Sequence, residues 1–278
     1  IQPDCYVTLE PLDKHRATMY EFKPLSSNRT FIYHFLKRAL RYHCPITANL
    51  RIDVTDTLKR IEECRSNGRK ISFIAYTTLA SAKTVEAHPN LNRRLYHGLF
   101  RKVLASFNHI TVALVVGRED PTGENILLPL MIRDVHKCTL EEIHEHIKST
   151  KTKELDTLDE YSKLQKLRKL PKFLIHFALF LSRLSPKYSG EQFATYALSS
   201  VTTENSVTLG GHTAASRTTF FPGNIRDEVL AINGKPEVRR VLFIGLSADH
   251  FVVDGMEVQQ AITTFQNLME NPNTLIPE

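Results

Sequence analysis

The sequence has no CxxC pair, no long apolar run, no internal repeat and no low-complexity linker. Each absence excludes something. The four cysteines, Cys5, Cys44, Cys64 and Cys138, stand apart, which argues against a zinc knuckle or a dithiol motif. A reducing compartment, with the thiols buried or idle, fits this usage. No stretch reaches the roughly 18 consecutive apolar residues of a membrane-spanning helix. The first residues, "IQPDCYVTLE", lack the basic-then-apolar plan of a secretory signal. They also lack an initiator Met, so a trimmed targeting segment stays open. The expected location is the cytoplasm, with an organellar matrix as the alternative.

What is present is an ordinary globular composition. The chain has 278 residues, 42% of them hydrophobic, which is enough for a sizeable core. Its net charge is +6. Such a balance suits nucleic acid, anionic lipid or phosphorylated cofactors. The densest basic run is "KLQKLRKLPK", residues 163–172. Aromatic residues do not interleave with it as a base-stacking surface requires. It reads as a solvated basic face, and no nucleic-acid partner is expected.

Periodicity predicts mixed helices and strands. Residues 26–40 read as a helix, with Phe31, Ile32, Phe35, Leu36, Ala39 and Leu40 at helical spacing. Residues 45–55 alternate as a strand. Residues 56–68 form an amphipathic helix closed by Gly68. Residues 71–89 form a more buried helix stopped by Pro89. Strands follow at 109–117 and 125–132 around the turn "DPTGE". Thr139 and Glu142 have the spacing of a capping box. Residues 193–202, 229–238 and 239–250 read as strands, the middle one interrupted by "NGKP". Residues 255–272 read as a closing helix. The alternation is not a strict βαβ repeat. The fold predicted is a two-layer α/β domain with helices packed on a mixed sheet.

One segment stands out for its apolarity. "FLIHFALFLSRL", residues 173–184, is apolar almost all round and too short to span a bilayer. It is expected to pack against the core or a neighbouring subunit. Attachment to a membrane surface is the alternative.

The chemistry-bearing stretch is "SADHFVVDG", residues 247–255. It follows the apolar run "VLFIGLS", so Asp249 and His250 stand at the end of a buried strand. A polar pair in that position must be hydrogen-bonded or functional. His250 is either a catalytic base or a satisfied structural histidine. No metal is expected, because no second His or carboxylate cluster has ligand spacing nearby.

"LSADHFVVDGMEV" resembles the active-site signature of the dihydrolipoamide acyltransferases, the catalytic cores of 2-oxo acid dehydrogenase complexes. Chloramphenicol acetyltransferase shares its His-x-x-x-Asp-Gly element. Upstream, "PLSSNRTFIYHFLKRAL", "IDVTDTLKRIEE", "KISFIAYTTLASAKTVEAHPNLN" and "ITVALVV…ILLPLMIRDVHKCTLEEI" resemble further stretches of that family in its order. The resemblance runs over about residues 24–278. It implies a chloramphenicol acetyltransferase-like mixed sheet. It also implies one catalytic domain over 1–278, without a lipoyl attachment site or a subunit-binding domain.

The implied activity is transfer of an acyl group from coenzyme A to a thiol, hydroxyl, amine or lipoyl-type acceptor. The resemblance makes His250 the general base and Ser199 the oxyanion donor, with Ser200 as the alternative. It makes Asp254 the partner of Arg29 in a buried ion pair, and Gly255 the residue that gives the loop its backbone angle. It implies a homotrimer with the site between subunits, and leaves a larger assembly open. The ordinary alternatives are a packed strand serine at 199 and a surface arginine at 29. Two stretches depart from the family pattern. Phe251 stands where Asp-His-Arg is usual, and Ser199-Ser200-Val201-Thr202 replaces Ser-Asn-Leu-Gly. These departures keep open a catalytically silent scaffold or binding protein of the same fold.

Overall fold

The computed structural model describes residues 25, 27–40, 43–98, 100–120, 123, 125–184, 194–200 and 218–277. Cys5, and Val201 and Thr202 of the departing stretch, lie outside them. The helices are α1 (Ser27–Leu40), α2 (Thr55–Ser66), α3 (Phe73–Ala87), α4 (Leu140–Thr152), α5 (Asp159–Lys169), α6 (Lys172–Leu184) and α7 (Gly255–Glu270). The strands are β1 (Pro45–Asp53), β2 (Arg93–His97), β3 (Lys102–Ser106), β4 (Val112–Glu119), β5 (Asn125–Ile132), β6 (Tyr196–Leu198), β7 (Thr218–Ile232) and β8 (Lys235–Asp249). Six strands make one mixed sheet in the order β1-β8-β7-β6-β4-β5. β2 and β3 form a separate hairpin. β6 runs parallel to both its neighbours, and the other pairings are antiparallel.

Strand alternation puts Leu242, Ile244, Leu246 and Ala248 of β8 on one face of the sheet, in the main core. Against that face pack Tyr76, Ala80 and Val85 of α3, Ile143 and Ile147 of α4, and Val258, Ala261, Phe265 and Met269 of α7. The α7 residues recur every three or four positions, as a helix burying one stripe requires. Each large side chain so buried contributes about 1.5–3 kcal/mol. The layer continues past the main core, where Leu155, Leu158 and Tyr161 cover Ile126 and Leu128 of β5. The expected two-layer mixed architecture is therefore the one observed.

Local chemistry fixes the corners. Gly68 ends α2 with φ +84°, a left-handed angle that glycine adopts without steric cost. The Thr139–Glu142 capping box forms as the spacing predicts. Glu142 accepts from the Thr139 N–H at 2.8 Å, and Thr139 Oγ1 from the Glu142 N–H at 3.2 Å. Pro129 sits in edge strand β5, where a missing N–H is tolerated. The "IDVTD" step is a lock between sheet and helix. Asp53 receives Arg239 Nε at 2.6 Å and the Thr55 hydroxyl at 2.6 Å, and Arg240 N–H donates to Thr55 Oγ1 at 2.8 Å. Burial works against the Asp53 charge, but the Thr55 and Arg239 bonds hold its carboxyl below the ordinary range.

Three elements differ from the sequence expectation. The region read as separate strands at 229–238 and 239–250 is one long hairpin, Thr218–Ile232 with Lys235–Asp249. Its first strand starts well upstream of 229. A register shift between Pro222 and Ile225 interrupts the pattern, and such a bulge hides alternation from the sequence. Of the strand expected at 193–202, the described residues 194–200 form strand only over Tyr196–Leu198. The polar stretch before 173 contains α5.

The hairpin turns at Asn233 and Gly234, whose φ values are 51° and 79°, the paired left-handed angles of a two-residue turn. A Cβ at Gly234 would meet nothing within 4 Å, so any cost there is backbone alone. Gly234→Val should destabilise the protein by about 1–2 kcal/mol, read as a lower urea midpoint with an unchanged slope.

Candidate active site

β8 ends at Asp249, and the chain turns at once. The Asp249 carbonyl accepts from the N–H groups of Val252 at 2.8 Å and Val253 at 3.1 Å. Its carboxylate Oδ1 accepts from Phe251 N–H at 3.3 Å and Cys44 N–H at 3.2 Å. The Cys44 carbonyl in turn accepts from His250 N–H at 2.6 Å. The Asp249 side chain is 1% exposed, and its Oδ2 lies 3.7 Å from Nδ1 of His43, which is 3% exposed. Val253 is buried in the main core and pins the far side of the turn.

His250 sits at the tip of this turn with its side chain 45% exposed. Its Nδ1 lies 2.9 Å from the Val253 carbonyl oxygen. A carbonyl only accepts, so Nδ1 carries the proton in this bond. In the neutral ring Nε2 is then the basic nitrogen. Among the described residues no hydrogen bond is made by Nε2. A half-exposed imidazole with its basic nitrogen so defined can take a proton from a bound nucleophile.

The next element holds the loop from below. Asp254 precedes the first turn of α7, and its N–H donates to Glu257 Oε2 at 2.9 Å. The other oxygen of Glu257 accepts from Asn90 Nδ2. Glu257 thus ties the start of α7 to the 3₁₀ turn Pro89–Asn92 that follows α3. The Asp254 N–H bond, then the Asn90 bond, keep the Glu257 carboxyl below its ordinary range. Neither Asn90 nor Glu257 was read from the sequence as a site residue. A Glu three positions after the helix-start Asp was the available signal.

The remaining candidates fall in different places. Asp254 is 86% exposed, and its carboxylate lies 3.8 Å from His250 Nδ1. The buried pair expected between Asp254 and Arg29 is not formed in this chain, and Arg29 is exposed in the first turn of α1. The buried carboxylate of the motif is instead Asp249, which strand alternation turns away from the main core and which residues 43–44 contact at the end of β8. Gly255 is corrected too. It is not among the positive-φ glycines, and a Cβ there would meet Ile46 Cδ1 at an ordinary 3.7 Å. The loop-to-helix step makes no demand that only glycine meets.

Ser199 follows β6 directly, half-buried, with its N–H donating to the Phe220 carbonyl at 2.9 Å. Ser200 is also half-buried. Leu198 pairs with Phe220, and Phe221 with Gly245. Ser199 is therefore level with Gly245, two strands across from β8. At about 3.3 Å per residue and about 4.8 Å per strand, Ser199 and His250 lie roughly 15–20 Å apart within one chain. One chain does not bring them together. Among the described residues, no group of three or more His, Cys, Asp or Glu is arranged to hold a metal ion. No helix of the described residues is long and apolar enough to cross a membrane. In α6, Phe173 and Phe177 are exposed.

The chain belongs to the 2-oxoacid dehydrogenases acyltransferase (catalytic domain) family, whose sequence model matches residues 18–165 and 221–276. The match takes in the His250 loop and passes over the segment between, which carries α6, Ser199 and Ser200. A succinyltransferase component of the 2-oxoglutarate dehydrogenase complex from Buchnera aphidicola is 20% identical over 212 residues. That alignment covers 76% of this chain and 45% of the relative, so the chain spans about half the length of such a protein. A dihydrolipoamide acetyltransferase structure from Azotobacter vinelandii superposes with a TM-score of 0.67 at 16% identity, covering 97% of this chain and 99% of that one. A truncated catalytic core of the 2-oxoacid dehydrogenase multienzyme complex from Thermoplasma acidophilum gives 0.65 at 17% identity, covering 91% and 100%. At these identities the structural likeness is one of fold.

Because the Glu257 carboxyl is held below its ordinary range, its bonds stabilise the protein above the unfolded-state value. That contribution is lost as pH falls through the lower, folded-state value. Glu257→Gln should therefore lower the melting temperature at pH 7. The gap to the native protein should shrink as the pH is brought below about 4, followed by thermal denaturation across a pH series.

Proposed function

We propose that this chain is an acyltransferase that moves an acyl group from coenzyme A to a thiol, hydroxyl or amine acceptor, the lipoyl-type dithiol among them. His250 is the general base. The observation that carries this reading is the Nδ1–H bond to the Val253 carbonyl. It makes Nε2 the basic nitrogen of a ring that is 45% exposed.

The chemistry follows from that arrangement. A protonated acceptor is a poor nucleophile. Nε2 removes its proton as it attacks the thioester carbonyl, a step worth about 10²–10⁴-fold. The proton on Nδ1 stays there, donated in a hydrogen bond to the Val253 carbonyl, which stabilises part of the positive charge that the ring gains. Asp254, 3.8 Å from Nδ1 and exposed, adds a screened attraction and needs to accept no proton. The carbonyl oxygen of the thioester becomes negative as attack proceeds and needs a fixed donor. The Ser199 hydroxyl is that donor, with Ser200 as the neighbour that would serve if it does not. The oxyanion then collapses, the C–S bond to coenzyme A breaks, and the proton on Nε2 passes to the departing thiolate, which restores the neutral ring.

The separation of His250 from Ser199 in one chain supports a site completed by a second copy. We take the assembly to be a homotrimer in which each site combines His250 of one chain with Ser199 of the next. The Thermoplasma relative, described as the catalytic core of a multienzyme complex, supports assembly from several copies.

His250→Ala should lower acyl transfer by at least about 10²-fold while the protein stays folded. The check is thiol release from acetyl- and succinyl-CoA with dihydrolipoamide as acceptor. Equal rates in variant and native protein would remove His250 from the mechanism. The shared site has its own test. His250→Ala and Ser199→Ala chains, each nearly inactive, should regain about a quarter of native sites when co-expressed and mixed at random. Hybrids no better than either parent would show that each chain carries a whole site.

A further inference from the structure

Asp249 and His43 are the most deeply buried titratable side chains around the His250 loop, and the proton transfer above uses neither of them. They come together from distant parts of the sequence because β1 starts opposite the end of β8, with Pro45 paired to Asp249. A carboxylate 1% exposed is costly unless bonded. Asp249 uses its charge in an informative way. Oδ1 draws in the N–H groups of Cys44 and Phe251, one on each of two chain segments. Oδ2 faces the His43 imidazole at 3.7 Å. The Cys44 carbonyl closes the loop by accepting from His250 N–H. The result is a clasp between residues 43–44 and 249–251, with the carboxylate at its centre.

The clasp bears on the tautomer of His250. The Nδ1–H bond to Val253 needs the turn from 250 to 253 to hold its shape, since donor and acceptor belong to the same turn. That shape is set by three bonds to Asp249, two to its carbonyl and one to its carboxylate. We infer that His43 and Asp249 are a buried positioning pair that holds the 250–253 turn so that His250 keeps its proton on Nδ1 and its basic lone pair on Nε2. The inference rests on the reading of His250 as the base, and one of its two readouts is independent of that reading.

The substitutions are Asp249→Ala, Asp249→Asn, His43→Ala and His43→Gln. Asparagine keeps an oxygen for the Cys44 and Phe251 N–H groups, and glutamine keeps a donor toward Asp249. The first readout is acyl transfer from acetyl- and succinyl-CoA to dihydrolipoamide. Asp249→Ala should lower kcat by about 10²-fold with KM nearly unchanged, the cost of a misplaced catalytic group. His43→Ala should lower kcat in the same way, and His43→Gln should recover most of it. Asp249→Asn should fall between native and Ala. The second readout is ¹⁵N NMR of protein labelled at histidine, with the His250 signals assigned by their loss in His250→Ala. The native ring should show a protonated Nδ1 and an unprotonated Nε2, and Asp249→Ala and His43→Ala should show a mixture of tautomers. If either alanine variant does not fold, Asp249→Asn carries the decision, with kcat expected below native. Folded Asp249→Ala, His43→Ala or Asp249→Asn protein that keeps native kcat and a native His250 spectrum would overturn the pair's role. If the native protein transfers no acyl group, the function proposed above fails, while the spectra still decide whether the pair sets the tautomer.

Discussion

The register between β1 and β8 is the constraint on which the rest of the site depends. Pairing Pro45 with Asp249 and Asp53 with Val241 brings residues 43–44 against the end of the strand that delivers His250. A slip of one residue would turn Asp249 to the core face and Ala248 to the other. It would bury a carboxylate among Leu, Ile and Phe, which is prohibitively costly without partners. The register is held at the far end by Arg239 and Thr55 acting on Asp53. The two polar devices sit at opposite ends of one strand pair, and the hydrophobic alternation between them agrees with both.

Much of this was legible in the sequence. The helices with clear apolar stripes and end signals, such as 56–68 with Gly68 and 71–89 with Pro89, lie where periodicity puts them. Residues near each other in sequence carry their own geometry, as the Thr139–Glu142 box does. The His250 loop was legible for the same reason, since its donor and acceptor, His250 and Val253, are three residues apart. What stayed hidden is long-range. His43 has no local pattern that points to Asp249, more than two hundred residues on. The long hairpin was hidden because its bulge near Pro222 breaks the alternation that a strand reading needs. The role given to Asp254 was carried by resemblance rather than by residues, and the geometry moved the buried carboxylate five positions back, to Asp249.

The departures from the family pattern take on a physical meaning here. Phe251, in the place of a usual arginine, is exposed next to His250 in the chain. Its N–H is held by Asp249, so the substitution leaves the backbone of the turn unchanged while altering what the site offers beside His250. An apolar ring there neither pairs with nor orients an acidic acyl group as a guanidinium would. The altered serine segment follows β6, the shortest strand of the sheet. Its position is set by parallel pairing on both sides rather than by its own length.

The β1–β8 pairing also has a consequence for how the protein comes into being. The two strands join residues about two hundred positions apart, so one edge of the sheet has no partner when it leaves the ribosome. At about 5–20 residues per second, the β1 segment waits roughly 10–40 s before β8 is made. Contacts of such sequence separation form late and slow the folding of the whole. The loop that carries His250 therefore takes its working shape among the last events of folding. During synthesis, the edge from Pro45 to Asp53 stays without its β8 partner until residues 241–249 are made.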